Sequence, residues 1–143
     1  MKKILLICLF GAFSHNLISA TPAEFTKAAD AFLKKYVTNG SVAYQNIARN
    51  ISEVENLYQQ IGTMNLEKAT PEIKKAFYIN AYNIIVIYWV AKHLPLKSPL
   101  DDSGFFDKIR HSVAGEMLTL NALEIKKLLQ GYQDARIHFA LAC

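Results

Sequence analysis

Cysteine is scarce in this sequence: Cys8 and Cys143 are the only two among 143 residues. Cys8 lies in a segment that reads as cleaved, which leaves one thiol and excludes an intrachain disulfide. A lone thiol at the last residue of an exported chain points to a chain that stops before a partner cysteine. A membrane-length apolar run is missing too. The N-terminal run, Ile4 to Phe13, is about half the roughly 20 residues that cross a bilayer, so no stable membrane anchor is expected. Positive charge is also thinner than the net +4 implies. Removing residues 1–20 takes away two of the 16 basic residues and none of the 12 acidic ones, leaving +2. The remaining lysines alternate with acids in the manner of solvated helix faces, and no basic stripe suited to nucleic acid is present. Internal repeats and low-complexity segments are absent.

The features that are present begin with a secretory signal. Met1, Lys2 and Lys3 precede the apolar run, and Leu17, Ile18, Ser19 and Ala20 end it with a small residue suited to cleavage before Thr21. Cys8 lacks the small neighbours of a lipoprotein's Leu-x-x-Cys setting, since Leu5, Leu6 and Ile7 precede it and Phe10 and Gly11 follow. The expectation is an exported protein, periplasmic or extracellular, with a signal peptide over 1–20. The remaining residues, 21–143, are enough for one core and one domain.

Thr21-Pro22-Ala23-Glu24 forms a capping box with proline at the first helical position, and Phe25, Ala28, Ala29, Phe32, Leu33 and Tyr36 recur at helical spacing. Asn39-Gly40 supplies a turn, followed by a short extended piece at Val42-Ala43-Tyr44. A second helix carries Ile51, Val54, Leu57, Tyr58 and Ile61 on one face, stops at Gly62 and reads as peripheral. The third is capped by Thr70, opened by Pro71 and apolar on nearly every side from Phe77 to Ala91, the pattern of a buried helix. Asn80 and Asn83 share one of its faces and require hydrogen-bond partners. Pro95 and Pro99 enforce a loop. Val113-Ala114-Gly115-Glu116-Met117 reads as a hairpin, Asn121 with Glu124 as a second capping box for a helix closed by Gly131, and Arg136–Ala142 as a buried strand. The class is α+β, helix-rich, with a central buried helix and a small sheet.

Three segments, in order, carry a resemblance: Phe77-Tyr78-Ile79-Asn80-Ala81-Tyr82-Asn83; Val113-Ala114-Gly115 through Leu120-Asn121-Ala122-Leu123-Glu124; and Asp134 through Cys143. Over roughly residues 40–143 the chain resembles domain-of-unknown-function family 547. The resemblance implies an exported bacterial domain whose biochemical activity is unassigned. It also implies a continuation beyond Cys143 into a Ser-Cys-Pro segment, so the domain is expected to be incomplete at its C-terminal side. Ile125 stands where the family commonly has a histidine.

Two kinds of function fit these residues. One is a hydrolase or acyltransferase with Cys143 as nucleophile, His138 as base, Glu124 as the orienting carboxylate and Asn80 as a polarising amide. Residues five apart diverge in a strand or a helix, so this pair requires a sharp turn after Ala140. The bland reading of His138 is a buried ring satisfied by Glu124 or an asparagine. The other function is a non-catalytic binding or scaffolding module, in which Asn80, Asn83, Glu124, Arg136 and His138 form a buried polar set and Arg136 pairs with Glu124. A metal site from His111, His138, Cys143 and Asp101-Asp102 matches no compact ligand spacing, so neither metal nor cofactor is expected. His93 and His111 read as surface residues, Asp101-Asp102 as a solvated loop, and Tyr78, Tyr82, Tyr88 and Trp89 as core.

Overall fold

The computed structural model describes residues 20–96 and 98–142. The segment expected to be a signal peptide, apart from Ala20, and both cysteines lie outside them. Among the described residues the fold is α+β: helices surround one long central helix, accompanied by two separate antiparallel hairpins of two strands each. No described helix is long and apolar enough to cross a membrane.

Helix α1 (Pro22–Tyr36) begins with the anticipated capping box, Thr21 accepting from the Glu24 N–H while Glu24 accepts from the Thr21 N–H. Its Phe25, Ala29, Phe32 and Tyr36 face the core. The chain then turns through the hairpin β1 (Val37–Thr38) and β2 (Ser41–Val42), where Asn39 and Gly40 both take positive φ. That pair of left-handed residues gives the tight turn that matches strand twist. The extended piece is therefore Ser41–Val42, and Tyr44 already opens α2 (Tyr44–Arg49).

Helix α3 (Ile51–Thr63) corrects the expectation of a peripheral element. Val54, Leu57 and Ile61 are buried, and its C-terminal carbonyls are taken up by the second hairpin, β3 (His111–Val113) and β4 (Glu116–Leu118). The Ala114 N–H donates to Ile61 O at 2.8 Å and the Gly115 N–H to Gly62 O at 3.0 Å. A helix end leaves its last carbonyls without intrahelical partners, and here the hairpin tip supplies two. Gly62 permits the approach, since a Cβ there would meet Ser112 at 3.1–3.2 Å.

Helix α4 (Pro71–Lys92) is the centre. Phe77, Ala81, Tyr82, Ile84, Ile85, Val86, Ile87 and Tyr88 are all buried, so side chains on every face are covered by α1, α2, α3 and the C-terminal elements. Of the aromatic residues expected in the core, Tyr82 and Tyr88 are buried, whereas Tyr78 and Trp89 are partly covered.

After the hairpin a helical run comprises α5 (Leu120–Ala122), a π-helical segment (Leu123–Leu129) and α6 (Gln130–Tyr132). Its cap is Thr119, whose hydroxyl accepts from the Ala122 N–H at 3.1 Å. The expected Asn121–Glu124 box does not form, and the run continues past Gly131 to a left-handed Gln133. Residues Ala135–Ala140 form a 3-10 helix instead of the expected strand.

The anchors of that last segment explain its form. Asp134 binds Lys75 at 3.1 Å and residues 140–142 bind Asn83. Lys75 and Asn83 are eight residues apart on an α-helix, about 12 Å at 1.5 Å per residue. Six 3-10 residues also span about 12 Å at 2.0 Å each, whereas a six-residue strand would reach about 20 Å. Arg136, through its side chain, and then Lys75 hold the Asp134 carboxyl well below the usual carboxylate range.

Ala114 carries a φ of 49° in the β3–β4 turn, a conformation that costs a residue with a Cβ about 1 kcal/mol. Ala114→Asn is expected to raise stability by about 0.5–1 kcal/mol, read as a shift of the urea midpoint with unchanged slope.

Candidate functional site

The C-terminal run and the 3-10 helix bring Glu124 and His138 together. Glu124 lies in the π-helical segment and His138 in the third turn-forming position after Ala135. The His138 Nδ1 lies 2.8 Å from Glu124 Oε1, with the carboxylate side chain 15% exposed and the imidazole 57% exposed. A carboxylate only accepts, so Nδ1 carries the proton and the other ring nitrogen, Nε2, is left as the basic one. The expectation that Glu124 would satisfy His138 is met, but the ring is exposed where a buried one was expected.

Asn83 builds the floor beside this pair. Its amide donates to Ala140 O at 2.9 Å, and its oxygen accepts from the Ala142 N–H at 2.8 Å. Both ends of one side chain therefore fix the backbone that follows His138. The 3-10 helix ends at Ala140, and Leu141 is extended with φ −98° and ψ 139°. The chain bends at Leu141. Cys143 lies outside the described residues.

Other candidate residues fall elsewhere. Asn80, one turn before Asn83, lines a groove between α1 and α4 with Thr26 and Ile73. Arg136 is 87% exposed and pairs with Asp134 through Nε at 2.9 Å and a second nitrogen at 3.0 Å. Its expected pairing with Glu124 does not occur, because Asp134 is two residues away and also accepts its backbone N–H. With Arg136 and His138 at the surface, the buried polar set required by the scaffold reading is not formed.

His93 is exposed at the end of α4, as expected, whereas His111 is not a surface residue: it is 1% exposed. Its ring stands perpendicular to Tyr58 and Trp89, with centroids at 5.9 and 5.6 Å. Nδ1 lies 3.1 Å from the Tyr58 hydroxyl, and Nε2 is buried with no hydrogen-bond partner among the described residues. Burial lowers its pKa from 6.5 to about 4. Asp102 also departs from the solvated-loop reading, since it accepts from the Trp89 indole N–H at 2.6 Å, while Asp101 caps the Ser98 N–H at 3.0 Å. Period-two alternation in His-Ser-Val was the signal available for His111. His111 and Val113 face the core, and Ser112 faces out.

The family described as "Protein of unknown function, DUF547" matches residues 66–143, from the loop before α4 through the His138 segment. The chain belongs to the DUF547 family. No curated protein and no solved structure matches it. Every residue of the Glu124–His138–Asn83 arrangement lies inside the DUF547 match, whereas α1, the first hairpin, α2 and α3 precede it.

Two measurements follow from this geometry. Asn83→Ala strands a carbonyl and an N–H of the DUF547 segment and is expected to cost about 1–3 kcal/mol. Amide exchange at residues 139–142 should accelerate more than exchange in α4. His111, with its folded pKa depressed, contributes stability that is complete above pH 6.5 and is lost as pH falls toward 4. The loss is on the order of 3 kcal/mol at full protonation. Urea midpoints at neutral and acid pH should diverge for the natural chain, and that divergence should shrink in His111→Phe.

Proposed function

We propose that this chain is an exported DUF547 domain that works as a cysteine-dependent hydrolase or acyltransferase. The observation that carries the reading is the Glu124–His138 bond, a mostly covered carboxylate holding an exposed imidazole so that one ring nitrogen is left basic. A general base requires that division of labour: an orienting acceptor on one nitrogen and access on the other. The extended backbone at Leu141 supports the same reading, because Cys143 follows within two residues of it.

In the proposed reaction His138 Nε2 takes the Cys143 thiol proton and the thiolate attacks an acyl carbonyl. The bond to the leaving group breaks, and that group takes the proton back from His138. Water or an acceptor then attacks the acyl thioester, forming the product and restoring the thiol. Glu124 keeps the imidazole in the required tautomer and orientation. Asn83, rather than Asn80, is the amide beside the segment, where it fixes the backbone that carries the nucleophile.

Export is part of the proposal, through removal of residues 1–20. The start of α1 supports it: the Thr21 nitrogen lies 2.8 Å from Glu24 Oε2, so a new α-ammonium there would have a carboxylate partner, offsetting its repulsion from a helix N-terminus.

The test is the pH dependence of Cys143 alkylation. The midpoint is expected below the free-thiol value of about 8.5 and should rise in His138→Ala and, by a smaller amount, in Glu124→Gln. A midpoint indifferent to both substitutions would sink the catalytic reading. Mass analysis of the protein recovered outside the cytoplasm should find Thr21 at its N-terminus; an intact Met1 would overturn export by cleavage.

A further inference from the structure

Two open clefts flank residues 139–142. One, of about 360 Å³, runs between Phe139 and the Leu33, Val37 and Ile87 side chains. The other, of about 600 Å³, runs between Tyr44, Val86, Leu100 and Phe106. They share Gly40, Val42 and Ala142, so they meet at the tip of the first hairpin and at the residue whose N–H Asn83 holds. Each is within the size range of small-molecule sites.

Their linings have an unusual property for an open surface. Among the described residues neither cleft has a charged side chain, although the chain carries 28 charged residues. Polar groups are few and two are already engaged: the Asn83 amide is bonded at both ends by the backbone of residues 140 and 142, and the Ser98 hydroxyl caps the Leu100 N–H. Among the described residues the two most exposed large apolar side chains, Phe139 at 88% and Leu100 at 76%, stand one in each cleft. Leaving such side chains in water forgoes burial worth about 25 cal/mol per Å². A peptide in these clefts would find few free side-chain partners for its amides, at a cost for each left unpaired. Among the described lining residues an ionised ligand would find no countercharge. A hydrocarbon chain needs neither.

We propose that the clefts around Gly40, Val42 and Ala142 hold the aliphatic chain of an acyl ester or thioester, with its carbonyl directed to the segment that leads from His138 to Cys143. The proposal rests on the catalytic reading for the fate of the carbonyl, while the chain site stands on the clefts themselves. In the ester reaction the acyl carbon–oxygen bond breaks as the acyl–sulfur bond forms, the alcohol leaves with the proton held by His138, and water releases the carboxylic acid.

The experiment uses the full chain with p-nitrophenyl acetate, butyrate, octanoate and dodecanoate, and in parallel a calorimetric titration with dodecanol, which has no carbonyl to react. kcat/KM is expected to rise by about tenfold or more from acetate to octanoate, since each buried methylene adds to binding. Dodecanol should bind the natural chain and His138→Ala alike. Phe139→Asp and Leu100→Asp, both at exposed positions that leave the core untouched, should each weaken dodecanol binding about tenfold, with circular dichroism unchanged. Turnover that is flat with chain length, together with no dodecanol binding, would overturn the acyl-chain site and leave the catalytic reading standing. Dodecanol binding that both aspartate variants abolish, without turnover of any ester, would keep the chain site and overturn catalysis. Binding indifferent to both variants would place the alcohol elsewhere and overturn the proposal.

Discussion

Helix α4 must be covered on every side, and the other elements are arranged by that requirement. A 22-residue helix with eight consecutive positions from Ala81 to Tyr88 buried but for Asn83 cannot face water on any stripe. Helices α1, α2 and α3 cover part of its circumference, and the DUF547-specific elements after residue 120 cover the rest. Burial of this kind is non-directional, so it gathers the elements without setting their register. Register comes from a few polar contacts: Asp134 on Lys75, Asn83 on residues 140–142, the Tyr132 hydroxyl on Pro71 O, and the hairpin tip on the end of α3.

Those contacts also explain which polar groups inside the fold are structural and which face outward. Asn83 spends its capacity on the backbone of residues 140 and 142, Asp102 accepts from the Trp89 indole, and Asp134 accepts from Lys75 and Arg136. His111 has its Nδ1 engaged with Tyr58 and its Nε2 sealed, so its chemistry is unavailable without opening the hairpin. Glu124 and His138 pair a mostly covered carboxylate with an imidazole that is more than half exposed, so one ring nitrogen is engaged and the other is left free of that partner.

Local signals with a mechanism were readable in the sequence. Thr21 and Thr70 cap the helices they precede, Asn39-Gly40 and Ala114-Gly115 turn as hairpin residues, and the unbroken apolar stretch marks α4 as buried. The α+β class and the DUF547 membership followed from the same residues. The misreadings share a cause: in each, a distant partner outweighed the local pattern. Arg136–Ala142 has the composition of a strand, but the distance between its anchors on α4 suits a tighter helix. Glu124 has the spacing of a capping residue, yet its carboxylate is taken by His138, fourteen residues on. Arg136 could reach a carboxylate in several places, and the nearest in sequence captured it. Helix α3 looked peripheral because its covering hairpin lies fifty residues later. At the site, the pairing of His138 with an acceptor was legible, but its exposure was not, because exposure depends on how far α4 and the π-helical segment stand apart.

The tethering of residues 134–142 has a consequence for how the protein opens. Ile137 and Leu141 are the buried side chains of this segment, so it is held at its two ends by side-chain bonds, with the Glu124–His138 bond and two apolar contacts besides. The free energy needed to lift it from α4 is that of a few polar contacts and two aliphatic side chains, far below that of unfolding the helices beneath. The strip carrying His138 can therefore detach and return while the core stays packed. Whatever enters the clefts on either side would gain access during such excursions, and by filling them would hold the strip down.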